Sequence, residues 1–164
     1  MIDLSREGTV FVLRFDAPEN RFRPDNIEAW DAALDEVEGA GNPASLVTTG
    51  TGKFYSNGLD LEWMFAQTDP EVRDGYIPKV LGLMARVLTF PTITVAAING
   101  HGFGAGLFLA LACDYRIMRT KRGYLCWPEA NLGMRLAKGF SELTKAKVTD
   151  PAVVREAVVT GNRD

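Results

Sequence analysis

Apolar residues along this chain recur in two registers that alternate from the N-terminus onward. Thr9 to Phe15 is rich in β-branched and aromatic residues and reads as a strand. Ile27, Trp30, Ala33, Leu34 and Val37 then fall three and four apart, which lines one face of a helix, and Pro24 and Asp25 stand just ahead as start signals. Ala44 to Thr49 reads as a short strand closed by Gly50-Thr51-Gly52, and an irregular piece from Lys53 to Glu62 follows, of the kind that often carries function. Glu71 to Leu88 returns to helical period. Val80, Leu81, Met84, Val87 and Leu88 are expected on its buried face, with Pro78 kinking the early part and Pro91 marking the end. The near-continuous apolar run Ile93 to Ile98 has the pattern of a parallel strand buried on both faces, and Tyr115 to Thr120 is a further β-prone segment. Strands alternating with helices predict an α/β fold. Residues 1–164 form one domain in this reading, with no linker, repeat or low-complexity segment.

The densest chemical signal lies where the strand Thr92 to Ile98 runs into Asn99-Gly-His-Gly-Phe-Gly-Ala-Gly106 and then into an apolar helix reaching Cys113. Glycines at 100, 102, 104 and 106 permit positive φ and let a ligand approach bare main chain. A helix starting near Ala105 offers unpaired N–H groups and a partial positive charge, so the turn suits a developing anion. Two nucleotide readings fail on spacing. Gly-Xaa-Gly-Xaa-Gly is not the dinucleotide fingerprint, and Gly50-Thr-Gly-Lys53 is no P-loop, because Val47 and Phe54 stand where that motif needs Gly and Ser or Thr.

Composition narrows the function classes. The chain has 164 residues, 46% hydrophobic and 24% charged, enough apolar material for a core. A net charge of −3 with no basic run argues against a nucleic-acid surface. No stretch approaches the ~18 apolar residues of a membrane span, and Met1 to Glu7 has no apolar signal core, so the expected compartment is the cytoplasm. Cys113 and Cys126 read as reduced core residues rather than a bridge or a metal site. His101, the only histidine, is expected to be a turn residue, and no Gly-Xaa-Ser-Xaa-Gly elbow is present.

Three segments in order, Phe54-Tyr-Ser-Asn-Gly-Leu-Asp-Leu61, Asn99 to Gly106 and Trp127-Pro-Glu-Ala-Asn-Leu-Gly-Met134, resemble the crotonase superfamily, the enoyl-CoA hydratase/isomerase fold. The resemblance extends from the opening strand to Thr160-Gly161 and implies a spiral of repeated ββα units. It also implies an acyl-CoA thioester as substrate, with coenzyme A arriving as part of it and no permanently bound cofactor or metal. By the same resemblance two backbone N–H groups, on Leu59 and Ala105, hold the thioester oxygen of an enolate. Ser56, Asn57, Gly58, Asp60 and Gly104 then border the substrate. Asp60 also reads as the cap of a helix starting at Leu61. Lys53, Arg21 and Arg23 suit coenzyme A phosphates. The family's further C-terminal helices, which build trimers and hexamers, have no counterpart before Asp164, where this sequence ends.

Hydratases of the family use two glutamates; here the first position holds Phe108 and the second is Glu129. One carboxylate suits moving a proton within one substrate, from C2 of a 3-enoyl thioester to C4, so the resemblance is nearest to Δ3,Δ2-enoyl-CoA isomerases. Apolar Phe108 is expected to exclude the water that hydration needs and to help keep the Glu129 pKa raised. Two alternatives stay open at this point: a 2-enoyl-CoA hydratase working with one glutamate, and a non-catalytic acyl-CoA-binding remnant or subunit.

Overall fold

The computed structural model describes residues 1–41 and 44–161. A hairpin of β1 (Ile2–Glu7) and β2 (Val10–Phe15) opens the chain, and a single turn of 3-10 helix at Pro18–Asn20 leads to β3 (Arg21–Phe22) and α1 (Pro24–Gly39). There follow β4 (Ser45–Gly50), β5 (Phe54–Ser56), β6 (Gly58–Leu59), α2 (Leu61–Ala66) and α3 (Pro70–Leu88). The second half contains β7 (Ile93–Ile98), β8 (His101–Phe103), α4 (Ala105–Ala112), β9 (Tyr115–Met118), β10 (Leu125–Cys126), α5 (Lys138–Lys147) and α6 (Pro151–Thr160).

The ββα repetition implied by the resemblance is present. Each of three successive turns gives one long strand to a five-stranded sheet, ordered β1-β2-β4-β7-β9, then one short strand to a three-stranded sheet, ordered β10-β8-β5, then helix. Among the described residues only the β1–β2 hairpin is antiparallel; β2, β4, β7 and β9 run parallel, as do β5, β8 and β10. Parallel neighbours need crossovers, and the helices supply them. The spiral thereby brings the C-terminal ends of β5, β8 and β10 together, although they lie some 70 residues apart in sequence, between Ser56 and Cys126.

The core fills one face of the large sheet. Phe11, Leu13, Phe15, Leu46, Ala96 and Ile98 are buried there against α1, α3 and α4. Phe15, Phe22 and Trp30 form an aromatic cluster with ring centroids 5.4 to 6.4 Å apart. All five apolar positions anticipated on α1 are buried. On α3 the buried face is Tyr76, Val80, Leu83, Met84 and Val87, so the expected face is rotated: Leu81 packs only in part and Leu88 is exposed at the helix end. Helix α3 also runs through Pro78 as one 19-residue element.

Two other expectations are corrected. β7 is parallel on both sides but fully buried on one face only, with Ile93 exposed and Val95 and Ala97 half-buried on the other. His101 opens strand β8 instead of sitting in a turn, and its ring stacks on Tyr124 at 5.5 Å. Cys113 and Cys126 are buried and not joined to each other.

Candidate active site

Backbone geometry builds the anion-receiving end of β8. Gly104 caps α4 at φ +49°, ψ −119°, a conformation a side chain disfavours, and its N–H donates to Cys126 O at 3.1 Å. The first i→i−4 bond of α4 runs from Phe108 N to Gly104 O, so the Ala105 N–H lies ahead of any intrahelical acceptor. Every residue of α4 is buried, which keeps its N-terminal dipole in a low-dielectric setting.

The second candidate donor sits beside the first. Gly58 has φ +82°, and a Cβ there would stand 2.5 Å from Phe103 O and 3.1 Å from Ala105 N. The Gly58–Leu59 peptide therefore abuts the start of α4. β6 pairs in parallel with β3, and Asp60 N donates to Phe22 O at 3.3 Å. Successive N–H groups of a strand alternate in direction, so the Leu59 N–H points away from that ladder. One residue after Ala105, a Cβ on Gly106 would meet Ser56 O at 2.3 Å, so glycine alone lets α4 press this closely on β5.

The carboxylate comes from the loop after β10. Glu129 follows Cys126-Trp127-Pro128, and a Cβ on Gly104 would lie 3.7 Å from Glu129 Oε1. Its Oε2 is buried and meets no hydrogen-bond donor among the described residues. Burial away from water accordingly raises the Glu129 pKa above the ordinary carboxylate value, partly offset by a bond from its own backbone. The loop carrying it is tied on both sides. Trp127 Nε1 donates to Thr144 Oγ1 of α5 at 3.1 Å, and Asn131 Nδ2 donates to Gly161 O at 3.0 Å. Phe108 is fully buried with its ring stacked on Phe140 of α5 (4.2 Å, 8°), so α4 presents no second carboxylate at this position.

The remaining anticipated residues divide between rim and support. Asn57 lies on the rim, its Nδ2 donating to Glu19 Oε2 at 2.9 Å; this contact and that of Arg21 hold the Glu19 pKa below its usual value. Asp60 caps α2, accepting from Trp63 N at 3.0 Å, and lies 4.0 Å from Arg21 and 3.8 Å from Arg23. Both arginines line a cleft of about 640 Å³ together with Glu19 and Asp60. Lys53 Nζ lies over the Phe54 ring at 5.4 Å. Ser56 is fully buried, and its hydroxyl bonds within the protein, so its side chain does not border substrate.

Two residues absent from the sequence-level site support it. Asn20 is buried and its Nδ2 donates to Thr51 O and Phe54 O, while Tyr76 OH donates to Phe22 O at 2.5 Å and accepts from Asp60 N at 2.9 Å. The tendency of Asn toward positive φ and the need of a buried tyrosine for a partner are weak signals of both.

Comparison with known proteins bears on the family and the fold. Residues 5–163 match the family model described as enoyl-CoA hydratase/isomerase. The peroxisomal enoyl-CoA delta isomerase 2 of Arabidopsis thaliana is 36% identical over 99% of this chain and 70% of its own length. Enoyl-CoA delta isomerase 3 of the same plant is 34% identical with the same coverage. The chain thus spans about 70% of the length of these relatives. A crystal structure of a probable enoyl-CoA hydratase from Mycobacterium tuberculosis superposes with a TM-score of 0.91 at 23% identity, covering 99% of this chain and 67% of that one, which speaks for the fold. No helix among the described residues is long and apolar enough to cross a membrane.

Proposed function

The chain belongs to the enoyl-CoA hydratase/isomerase family, and from that premise we propose that it isomerises 3-enoyl-CoA to 2-enoyl-CoA, with Glu129 as the only proton shuttle. The observation that carries the reading is a single desolvated carboxylate, Glu129, beside Gly104, with stacked, buried Phe108 at the family's other acid position. Glu129 removes a proton from C2 of the substrate, and the electron pair moves into the thioester carbonyl. The Leu59 and Ala105 N–H groups hold the oxygen of the resulting enolate. The pair then returns to form the C2–C3 double bond while the former C3–C4 π pair takes the proton back at C4. Glu129 ends as it began, so the reaction closes on one base and calls for no co-reactant. Hydration needs one group to orient water and another to deliver a proton, and Phe108 supplies neither. The plant delta isomerases among the relatives support the same choice. Asn57, Gly58, Asp60 and Gly104 border the acyl-CoA in this reading, and Arg21 and Arg23 face its phosphates from their cleft. We keep the cytoplasm as the expected compartment; co-fractionation with peroxisomes, named for one of these relatives, would move it.

Parallel assays on a 3-enoyl-CoA and a 2-enoyl-CoA, following absorbance of the conjugated thioester, test the reading. Conjugation is expected to appear from the first substrate. Loss of conjugation from the second at a comparable rate would favour hydration, and silence on both would favour a non-catalytic chain. The raised Glu129 pKa makes a further prediction. A general base works deprotonated, so kcat/KM should fall as pH drops through an apparent pKa above 4.5, the ordinary glutamate value. An acid limb at or below that value would count against Glu129 as the base.

A further inference from the structure

Two adjacent non-glycine residues, Glu19 (φ +54°) and Asn20 (φ +51°), hold left-handed backbone just before β3. Such outliers persist only where surrounding contacts enforce them, and they cluster at functional sites. Here the contacts all converge on one short loop. Asn20 accepts from Ala17 N at 3.0 Å and donates to Thr51 O and Phe54 O at 3.2 and 2.8 Å, which ties it to both ends of the turn preceding β5. Its own carbonyl, turned by the left-handed φ, accepts the Ser56 hydroxyl at 2.6 Å. The oxygen of that hydroxyl in turn accepts the Gly58 N–H at 3.1 Å. Glu19 holds the intervening residue from the other side: its carbonyl accepts from Asn57 N and its carboxylate from Asn57 Nδ2, both at 2.9 Å.

We propose that Ser56 is a positioning residue for the reaction: its buried hydroxyl, clamped by the Asn20 carbonyl, fixes the Gly58 amide and thereby aims the adjoining Leu59 N–H at the enolate oxygen. The relay is directional, because a hydroxyl has one proton and the Asn20 carbonyl takes it, which leaves only lone pairs for Gly58 N–H. Gly58 at φ +82° sets little steric preference on the peptide that follows, so its orientation depends on the bonds on either side of it, Gly58 N to Ser56 Oγ before it and Asp60 N to Phe22 O after it. Beside the Glu19–Asn57 contacts and the β3–β6 pairing, the Ser56 side chain links the left-handed turn to the residue that carries this donor's peptide. A donor displaced by a fraction of an ångström is close enough to bind a ground-state thioester and too far to match the developing oxyanion.

This inference rests on the isomerase reading, and the test separates the two. Ser56→Ala removes the relay with one atom, and Thr94→Ala deletes another buried hydroxyl, bonded to Asp114 at the opposite end of β7, as a matched control. Steady-state kinetics on a 3-enoyl-CoA should show kcat lowered about 10- to 100-fold in Ser56→Ala, with KM changed less than about threefold, as expected for partial loss of one oxyanion donor; Thr94→Ala should keep wild-type kcat. Difference infrared spectra of a bound 2-enoyl-CoA supply the readout that a merely structural role does not move. The thioester carbonyl band should shift to lower frequency in the wild type and in Thr94→Ala, and lose much of that shift in Ser56→Ala. Wild-type kcat, or a wild-type carbonyl shift, in folded Ser56→Ala overturns the proposal. If Ser56→Ala does not fold, amide exchange on the wild type decides, since a Gly58 N–H exchanging at the rate of an open loop is incompatible with the relay. A wild type without turnover defeats the isomerase reading, while its carbonyl shift still decides on Ser56.

Discussion

Glu129→Gln is expected to lower kcat for 3-enoyl-CoA isomerisation by about 10²- to 10⁴-fold, the usual contribution of a positioned general base. The amide fills the same volume and keeps the Pro128 turn, so binding of the thioester should be almost unchanged. The loss then belongs in kcat and not in KM. The same substitution should not harm the fold. Glu129 Oε2 is buried without a donor among the described residues, and desolvation holds the carboxyl pKa above its ordinary value. A group whose folded-state pKa is raised adds stability below its unfolded pKa, and that stability is lost as pH rises through the folded value. At neutral pH the ionised carboxylate therefore works against folding, and glutamine, neutral throughout, removes that cost. Thermal melts at pH 7 to 8 should show Glu129→Gln at or above the wild-type Tm. A variant that retained turnover would remove Glu129 from the mechanism. One that lost turnover and melted far below the wild type would show that the residue is structural.

That opposition between activity and stability bears on what the sequence could reveal. Core faces are read by periodicity, and α1 kept its five anticipated positions because a single stripe meets both the sheet and α3. Helix α3 did not, since it meets β3, α1, α2 and α4 at once; Tyr76 and Leu83 face inward where Leu81 and Leu88 were expected. Strand β1 was not anticipated because it is an edge strand with only Ile2 and Leu4 turned toward the core. Strands β5, β6, β8 and β10 have two or three residues each, too few for any period, and their pairing is decided by the spiral. The glycines and Glu129 were legible through the family motifs. The hydroxyl of Ser56 was not. On sequence it borders the substrate loop, and only the fold shows it turned inward onto Asn20. Arg21 and Arg23 were legible as charges, but their pairing with Glu19 and Asp60 was not.

Gly58→Ala should be more damaging than any change of a side chain at the rim. The methyl would be built 2.5 Å from Phe103 O and 3.1 Å from Ala105 N, distances that van der Waals contact forbids and that involve backbone on both sides. Nothing flexible is available to give way. The strain must be relieved by moving β6 away from the start of α4, which separates the Leu59 and Ala105 amides from their shared focus. Losing one such donor typically costs about 2.7 to 4 kcal/mol of barrier, or 10² to 10³ in rate, and displacement of both should push the loss of kcat to about 10³-fold or beyond. The positive φ of +82° adds a conformational penalty, about 1 to 2 kcal/mol for an L-residue. In a domain of this size that lowers Tm by roughly 2 to 8 °C. Leu59→Ala provides the contrast, because it changes only a side chain and leaves the amide in place. If the oxyanion is held by main chain, Leu59→Ala should keep kcat within about tenfold of wild type while Gly58→Ala loses it. Similar kinetics for the two variants would mean that the oxygen is held elsewhere, and the juxtaposition of Gly58 with Ala105 would then serve packing alone.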